Sequence, residues 1–261
     1  MCIRDRNNLD EAVKLMRSEA GVKAEKKSNR IAAEGVVHYF SNKSKSLLIE
    51  INSETDFVAK GDDFLNYVQK TCEIIVNQPC LNLLELTESN QHEIKTELEE
   101  LRKNYVTKLG ENIQIRRFEV IDKENNSVAG YTHNNKIGAM VILKSSDEQL
   151  SKDICMQIVA SSPLALDEKS IDSKILDNER EVYKAELKKI DKKDDIKRNI
   201  LEGKTKKFIS ENTLLNQPFI KDGSLTLNNI LKDNKILSYT RYQLGEGIDK
   251  KQEDFAQEVY S

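Results

Sequence analysis

Apolar residues along this chain recur in two periods, and the change from one to the other marks its most informative stretch. Ser46 to Asn52 (SLLIEIN) is an aliphatic and β-branched cluster bounded by polar residues, which predicts a half-buried strand. Phe64, Val68, Cys72, Ile75 and Val76 recur at helical spacing and predict a helix. Between them lies TDFVAK, residues 55–60, at a strand-to-helix corner, where a surface loop held by rigid elements can present a side chain to a partner. Upstream, VVHYF pairs with SLLIEIN through SNKSK as a hairpin. Downstream, Ile94, Leu98, Leu101 and Tyr105 line one side of a second helix that Gly110 ends. Its other side is charged, with Glu99 and Lys103 as an i,i+4 pair.

The pattern then repeats. NIQIRRFEVI, SVAGYTH and KIGAMVILK are three strands separated by DKENN and NN, which predicts a meander. A helix from about Asp147 to Ser161 carries Leu150, Ile154, Ile158 and Val159 on one face before Pro163. Strands, polar corner, helix with a mid-face Cys and then Pro is also the order of residues 35–79, which suggests internal duplication. Residues 167–213 are dominated by Lys, Glu and Asp, with sparse apolar positions on either side of DKKDD, and predict an antiparallel helical hairpin. After Leu214 come QPFI, a short helix around Leu227, Ile230 and Leu231, and ILSYTRYQL, a strand that completes the second sheet. Gly245-Glu246-Gly247 turns into a last helix containing Phe255, Ala256 and Val259.

At the start, Asn8 and Glu11 resemble a capping box, Leu9, Ala12, Val13 and Met16 form an apolar face, and Gly21 ends the helix. MCIRDR before it has no period and reads as foreign to the natural protein. The fold class expected is α+β. The division expected is a helical remnant and linker at 1–30, a first core subdomain at 31–112, a second at 113–166 with 214–244, the hairpin at 167–213 and a C-terminal helical module at 245–261.

Composition narrows the function. With 261 residues, 33% charged and 38% hydrophobic, and no Trp, the chain is long enough for more than one solvated, helix-leaning domain. A net charge of −3 argues against bulk electrostatic binding of nucleic acid. No apolar run approaches the roughly eighteen residues of a membrane span and no signal peptide opens the chain, so a cytoplasmic location is expected. Cys2, Cys72, Cys80 and Cys155 lack the spacing of a zinc site, and Cys72 and Cys155 read as small buried hydrophobes. There is no phosphate loop, no zincin pattern and no nucleophile elbow, so neither an enzyme active site, a metal site nor a cofactor is expected.

Two readings of Asp56-Phe57 stand open from residue types alone. Thr55 or Asp56 caps a helix while Phe57 turns into the core, or the acid and ring face a partner that offers a dipole beside an apolar slot. His133, beside Asn134 and Asn135 at a hairpin tip, reads as a solvated turn residue or as a contact. A noncatalytic ribosome- or RNA-associated module, using basic residues at 23–30 and the 188–195 tip, is the alternative function. A hydrolase built on Asp62 and Asp63 is a poorer one, because adjacent acids after Gly61 fit helix capping.

TDFVAK after a strand, KLGENIQIRR at 108–117, YTH and KIG at 131–138, EGKTKKF at 202–208, NQPFIKD at 216–222 and GEGI with DFAQEV at 245–259 resemble, in this order, translation elongation factor Ts. The resemblance runs from about Asn8 to the last residue. It implies two related α+β subdomains, an inserted coiled-coil hairpin and a C-terminal helix. It further implies a guanine-nucleotide exchange factor that binds elongation factor Tu, GDP-bound and nucleotide-free, without binding nucleotide itself, with a dimer of heterodimers left open. By the same resemblance, Thr55, Asp56, Phe57, Val58 and Ala59 would engage Tu and disturb its magnesium and phosphate contacts, with Phe57 as a wedge. His133, Ile137 and Gly138 would contact Tu from the second subdomain, and Phe255 and Val259 from the C-terminal module. The chain departs from the family in two places. Of the usual three-helix opening only the helix at 8–19 is recognisable, and Asn134 and Lys136 stand where the family often has Gly and Arg.

Overall fold

The computed structural model describes residues 21–22, 24–79, 82–88, 92–124 and 126–248. The helix expected after Asn8 and the one containing Phe255 and Val259 lie outside the described residues. The elements are β1 (Glu34–Ser41), β2 (Lys45–Ser53), α1 (Asp56–Lys60), α2 (Asp62–Val76), α3 (Leu83–Glu88), α4 (His92–Leu109), β3 (Ile113–Asp122), β4 (Ser127–His133), β5 (Ile137–Leu143), α5 (Glu148–Ser161), α6 (Ser173–Lys188), α7 (Asp194–Asn212), β6 (Pro218–Phe219), β7 (Asp222–Thr226), α8 (Leu227–Leu231) and β8 (Ile236–Gln243). This is an α+β protein. No helix among the described residues is long and apolar enough to cross a membrane. Among the described residues two compact units form, one from residues within 21–124, 132–138 and 242–248, the other from 126–131 and 139–241.

In the first unit the sheet order is β1-β2-β3, antiparallel throughout. The expected meander of three consecutive strands is therefore corrected: β3 pairs with β2, whereas β4 and β5 join β8 in another sheet. Local pattern favours the neighbour in sequence as the partner, and here the partner lies across four helices, α1 to α4. The expectation that SLLIEIN is half-buried is corrected too, because every residue from Ser46 to Ser53 is buried. As the middle strand, β2 has both edges paired. Leu47, Ile49 and Ile51 alternate onto the face that packs with Phe64, Tyr67, Val68, Cys72 and Ile75 of α2 and with Leu98 and Val106 of α4. Leu48, Glu50 and Asn52 point the other way, into cover supplied by segments distant in sequence.

Glu50 is the unusual member of that second face. Its carboxylate is fully buried, yet Arg116 reaches Oε1 at 2.8 Å and Arg117 reaches Oε2 at 2.6 Å. Two consecutive strand residues normally point to opposite faces. The register shift between Glu50 and Ile51 opposes Glu50 to Arg117 and Ile51 to Ile115, so Arg116 is the extra residue of a bulge and both guanidinium groups reach one acid. The Gly245 amide donates to Oε1 at 2.8 Å. Arg117 also donates to the Gln243 carbonyl at 3.0 Å, pairs with Glu246 at 3.0 Å and stacks 4.4 Å from the Tyr242 ring centre, while Arg116 bonds the Glu246 carbonyl. Residues 242–246 are thereby tied to the sheet. Only glycine fits at 245, where φ is +69° and a Cβ would lie 2.7 Å from the Ala33 carbonyl oxygen.

In the second unit, the Asp147 side chain accepts from the Leu150 amide at 2.9 Å and caps α5, which buries Ile154, Cys155 and Ile158. Burial pushes the thiols of Cys72 and Cys155 up to about 12, so both remain protonated hydrophobes. The hairpin expected from 167–213 is α6 and α7. It is largely exposed, with Leu187 and Ile209 among its few buried side chains. Lys204 bonds Glu186 and lies 5.0 Å from the Tyr183 ring centre, which ties the two helices together.

Two stability outcomes follow from the first unit. Glu50→Gln is expected to lower the free energy of urea unfolding by about 2–3 kcal/mol, less than for a wholly buried pair because both arginines keep some contact with water. His38 on β1 has its pKa lowered from the ordinary 6.5 by burial. The unfolded chain then binds the proton more readily than the folded one, so this residue stabilises the fold above pH 6.5 and loses that contribution as the pH falls from there. His38→Gln is expected to flatten the fall in urea midpoint on acidification.

Candidate functional site

TDFVAK folds as a helical turn of its own. Thr55, extended at φ −122° and ψ 156°, caps α1 by accepting from the Val58 amide at 3.3 Å, and the Gly61 amide closes the far end on the Val58 carbonyl at 3.0 Å. Ala59 is buried and Val58 packs against the core of the first unit, which fixes the inward side. Phe57 points the other way and is 84% exposed. Of the two readings open from the sequence, the cap is correct and the inward ring is not. Asp56 sits beside Phe57 and meets Lys60 at 2.6 Å one turn on. The Lys60 hydrogen bond, chiefly, holds its carboxyl below the usual carboxylate range, so at neutral pH it is an anion.

The approach to α1 is secured by side chains. Ser53 and Ile113 are the last pair of the β2–β3 ladder. Beyond it, Glu111 Oε2 accepts from the Glu54 amide at 3.1 Å and the Thr55 amide at 3.0 Å, and Oε1 accepts from the Thr55 hydroxyl at 2.6 Å. In return Glu54 Oε1 accepts from the Asn112 amide at 2.6 Å.

The turn between β4 and β5 belongs to the same unit and reaches the same place. Asn134 and Asn135 have φ of 51° and 55°, and the Lys136 amide bonds the His133 carbonyl at 3.0 Å, which makes a two-residue hairpin with both central residues left-handed. Asn tolerates this conformation nearly as well as glycine. The Val37 amide bonds the Asn135 carbonyl at 2.7 Å and fastens the turn to β1. Gly138 follows where no side chain fits, since a Cβ would lie 2.6 Å from Val37 Cγ1. Between turn and corner runs a groove of about 300 Å3 lined by Glu34, Thr55, Asp56, Phe57 and Lys136. It adjoins a smaller one whose walls include Ala59, Lys60, Leu65 and Asn134. These walls offer ionic groups and an exposed aromatic ring.

The family model for elongation factor Ts matches residues 54–246, from the residue before Thr55 to the residue tied to Arg117. Elongation factor Ts of Alkalilimnicola ehrlichii is 40% identical over 258 residues, covering 97% of this chain and 87% of that protein. The one from Thioalkalivibrio sulfidiphilus is 38% identical over 257 residues with the same coverage, and the one from Legionella pneumophila strain Lens is 35% identical over 261 residues, covering 98% and 89%. The chain belongs to the elongation factor Ts family.

For a member of this family, the sequence-derived candidates are distributed unevenly. Thr55 caps α1, and Asp56, Phe57, Val58 and Ala59 lie on it, where Asp56 and Phe57 carry its outer surface while Val58 and Ala59 secure it. His133 is exposed at the turn, with Asn134 Nδ2 3.2 Å from its Nε2. Ile137 is half-buried and Gly138 is buried in close packing. Phe255 and Val259 lie outside the described residues. Sequence reasoning noted Lys136 only as a departure from the family, and missed Glu34, which lines the groove with it, and Glu111, whose position opposite Thr55 follows only once β3 is known to pair with β2.

Thr55→Val keeps the branched shape and removes the cap. Losing a cap is worth about 0.5–2 kcal/mol, so exchange of the Val58 amide hydrogen with solvent is expected to quicken roughly two- to thirtyfold, while amides of β2 stay protected.

Proposed function

We propose that this protein is the guanine-nucleotide exchange factor for elongation factor Tu. It binds Tu in the GDP-bound and nucleotide-free states and promotes GDP release without holding nucleotide itself. The observation that carries this reading is Phe57, 84% exposed on a helical turn that is capped at one end, closed at the other and packed underneath. A large apolar ring in water is unfavourable unless a partner covers it, and a rigid base lets it enter an apolar slot with little loss of conformational freedom. Membership of the elongation factor Ts family supports this reading.

The magnitudes are compatible with a wedge. A thousandfold faster release requires roughly 4 kcal/mol off the barrier. Burial of Phe57 supplies about 1.5–3 kcal/mol and an anionic Asp56 near a helix end of Tu about 0.3–1. The remainder falls to the wider contact, in which His133 and the turn at 133–138 flank the groove. Phe255 and Val259 are assigned by resemblance to a C-terminal helix on Tu's nucleotide-binding domain. Linkage requires GDP and this protein to weaken each other's hold on Tu by one factor. Such a role belongs to the cytoplasm.

Release of a fluorescent GDP from Tu tests the proposal. The protein is expected to accelerate it, and Phe57→Ala to remove about ten- to a hundredfold of the acceleration while leaving the fold unchanged. Equal acceleration by the variant would remove the wedge from the mechanism. No acceleration by the unaltered protein, together with salt-dependent RNA binding, would favour the ribosome-associated alternative.

A further inference from the structure

We infer that Glu111 is a positioning residue for nucleotide exchange, acting through Thr55 on Phe57; the inference rests on the exchange function proposed above. The β2–β3 ladder ends at Ser53 and Ile113, and main-chain pairing there would carry residues 54 and 55 onward as strand. The chain must instead turn at Thr55 into α1, which leaves the amides of Glu54 and Thr55 without carbonyl partners on β3. One carboxylate oxygen of Glu111 takes both amides, at 3.1 and 3.0 Å. Its second oxygen takes the Thr55 hydroxyl at 2.6 Å.

That last bond settles the orientation of the cap. A hydroxyl has one hydrogen and two lone pairs. Glu111, which can only accept, takes the hydrogen, so a lone pair of Thr55 Oγ1 must face the Val58 amide 3.3 Å away. A short bond to a carboxylate also polarises the hydroxyl and makes its oxygen a better acceptor. Glu111 is held in place by its own neighbourhood. Asn112 next to it bonds Glu54 through its amide and the carbonyls of Ser28 and Arg30 through its side chain. The path from Glu111 to the exposed ring thus has two links, the Thr55 hydroxyl and the first turn of α1. Glu111 lies outside the lining of the groove beside Phe57.

The test is a double-mutant cycle on GDP release from Tu, run with Glu111→Ala, Phe57→Ala and the double variant, and supported by hydrogen exchange of the free protein. Glu111→Ala is expected to lower the maximal release rate about ten- to a hundredfold, the scale on which a misplaced functional group loses rate. In the Phe57→Ala background the same substitution is expected to change the rate by less than about fivefold, since only the smaller contribution of Asp56 is left on the turn to be misplaced. An equal factor in both backgrounds would overturn the inference and make Glu111 merely structural. So would unchanged protection of the Val58 amide in Glu111→Ala. If Phe57→Ala itself leaves release unaltered, the wedge fails instead, and the amide measurement still judges the clamp. Glu111→Gln guards against a variant that does not fold. It keeps one acceptor for the two amides but turns a donor toward Thr55, and is expected to lose part of the rate with the same dependence on Phe57; full activity in it would overturn the role given to the hydroxyl bond.

Discussion

A buried carboxylate shared by two arginines is the constraint on which the first unit depends. Glu50 sits in the middle of the central strand, where an unpaired charge would be prohibitive. Its neutralisation requires a bulge at Arg116, and the bulge requires β3 to lie beside β2 in one register. That register in turn brings Glu111 opposite Thr55, two steps past the end of the ladder. The same acid accepts from Gly245 and so fastens residues 242–246. A single ionic cluster therefore sets strand order, the position of the corner and the anchorage of the chain's last described segment.

The corner works because its two sides are treated differently. Val58 and Ala59 are drawn into the core, Asp56 is tied along the surface to Lys60, and Phe57 has nothing over it. A five-residue helix has little stability of its own. Here its amides are supplied from outside, by Thr55 at the start and by the Glu111 carboxylate on the approach, so an isolated turn behaves as part of the sheet. Across the groove, the 133–136 turn is fixed by the Asn135 carbonyl on β1. Two short segments nearly eighty residues apart in sequence thus share one surface in the same rigid unit.

Much of this was legible in the sequence, and the failures share a cause. Helix faces such as Phe64 to Val76 and turn signals such as Asn134-Asn135 are local, and both were read correctly. The direction of Phe57 was not decidable, because a capped helix and an exposed ring are compatible with the same six letters. The pairing of β3 escaped because neighbouring strands are the default partners and nothing in NIQIRRFEVI names a distant one. The Arg116-Arg117 pair was a usable signal: two charges in succession break strand alternation, and SLLIEIN contains one acid that needs them.

The distance between Glu50 and Gly245 along the chain has a consequence for how the molecule is made. Their hydrogen bond closes a loop of 195 residues. At roughly 5–20 residues per second of synthesis, β2 would wait about 10–40 seconds after emerging for its last partner. During that interval the arginines of β3 can already neutralise the acid, while the bed for residues 242–246 stands open. The second unit, whose pieces end at residue 241, has all its material before the first does. The part of the molecule that begins first is the part that finishes last.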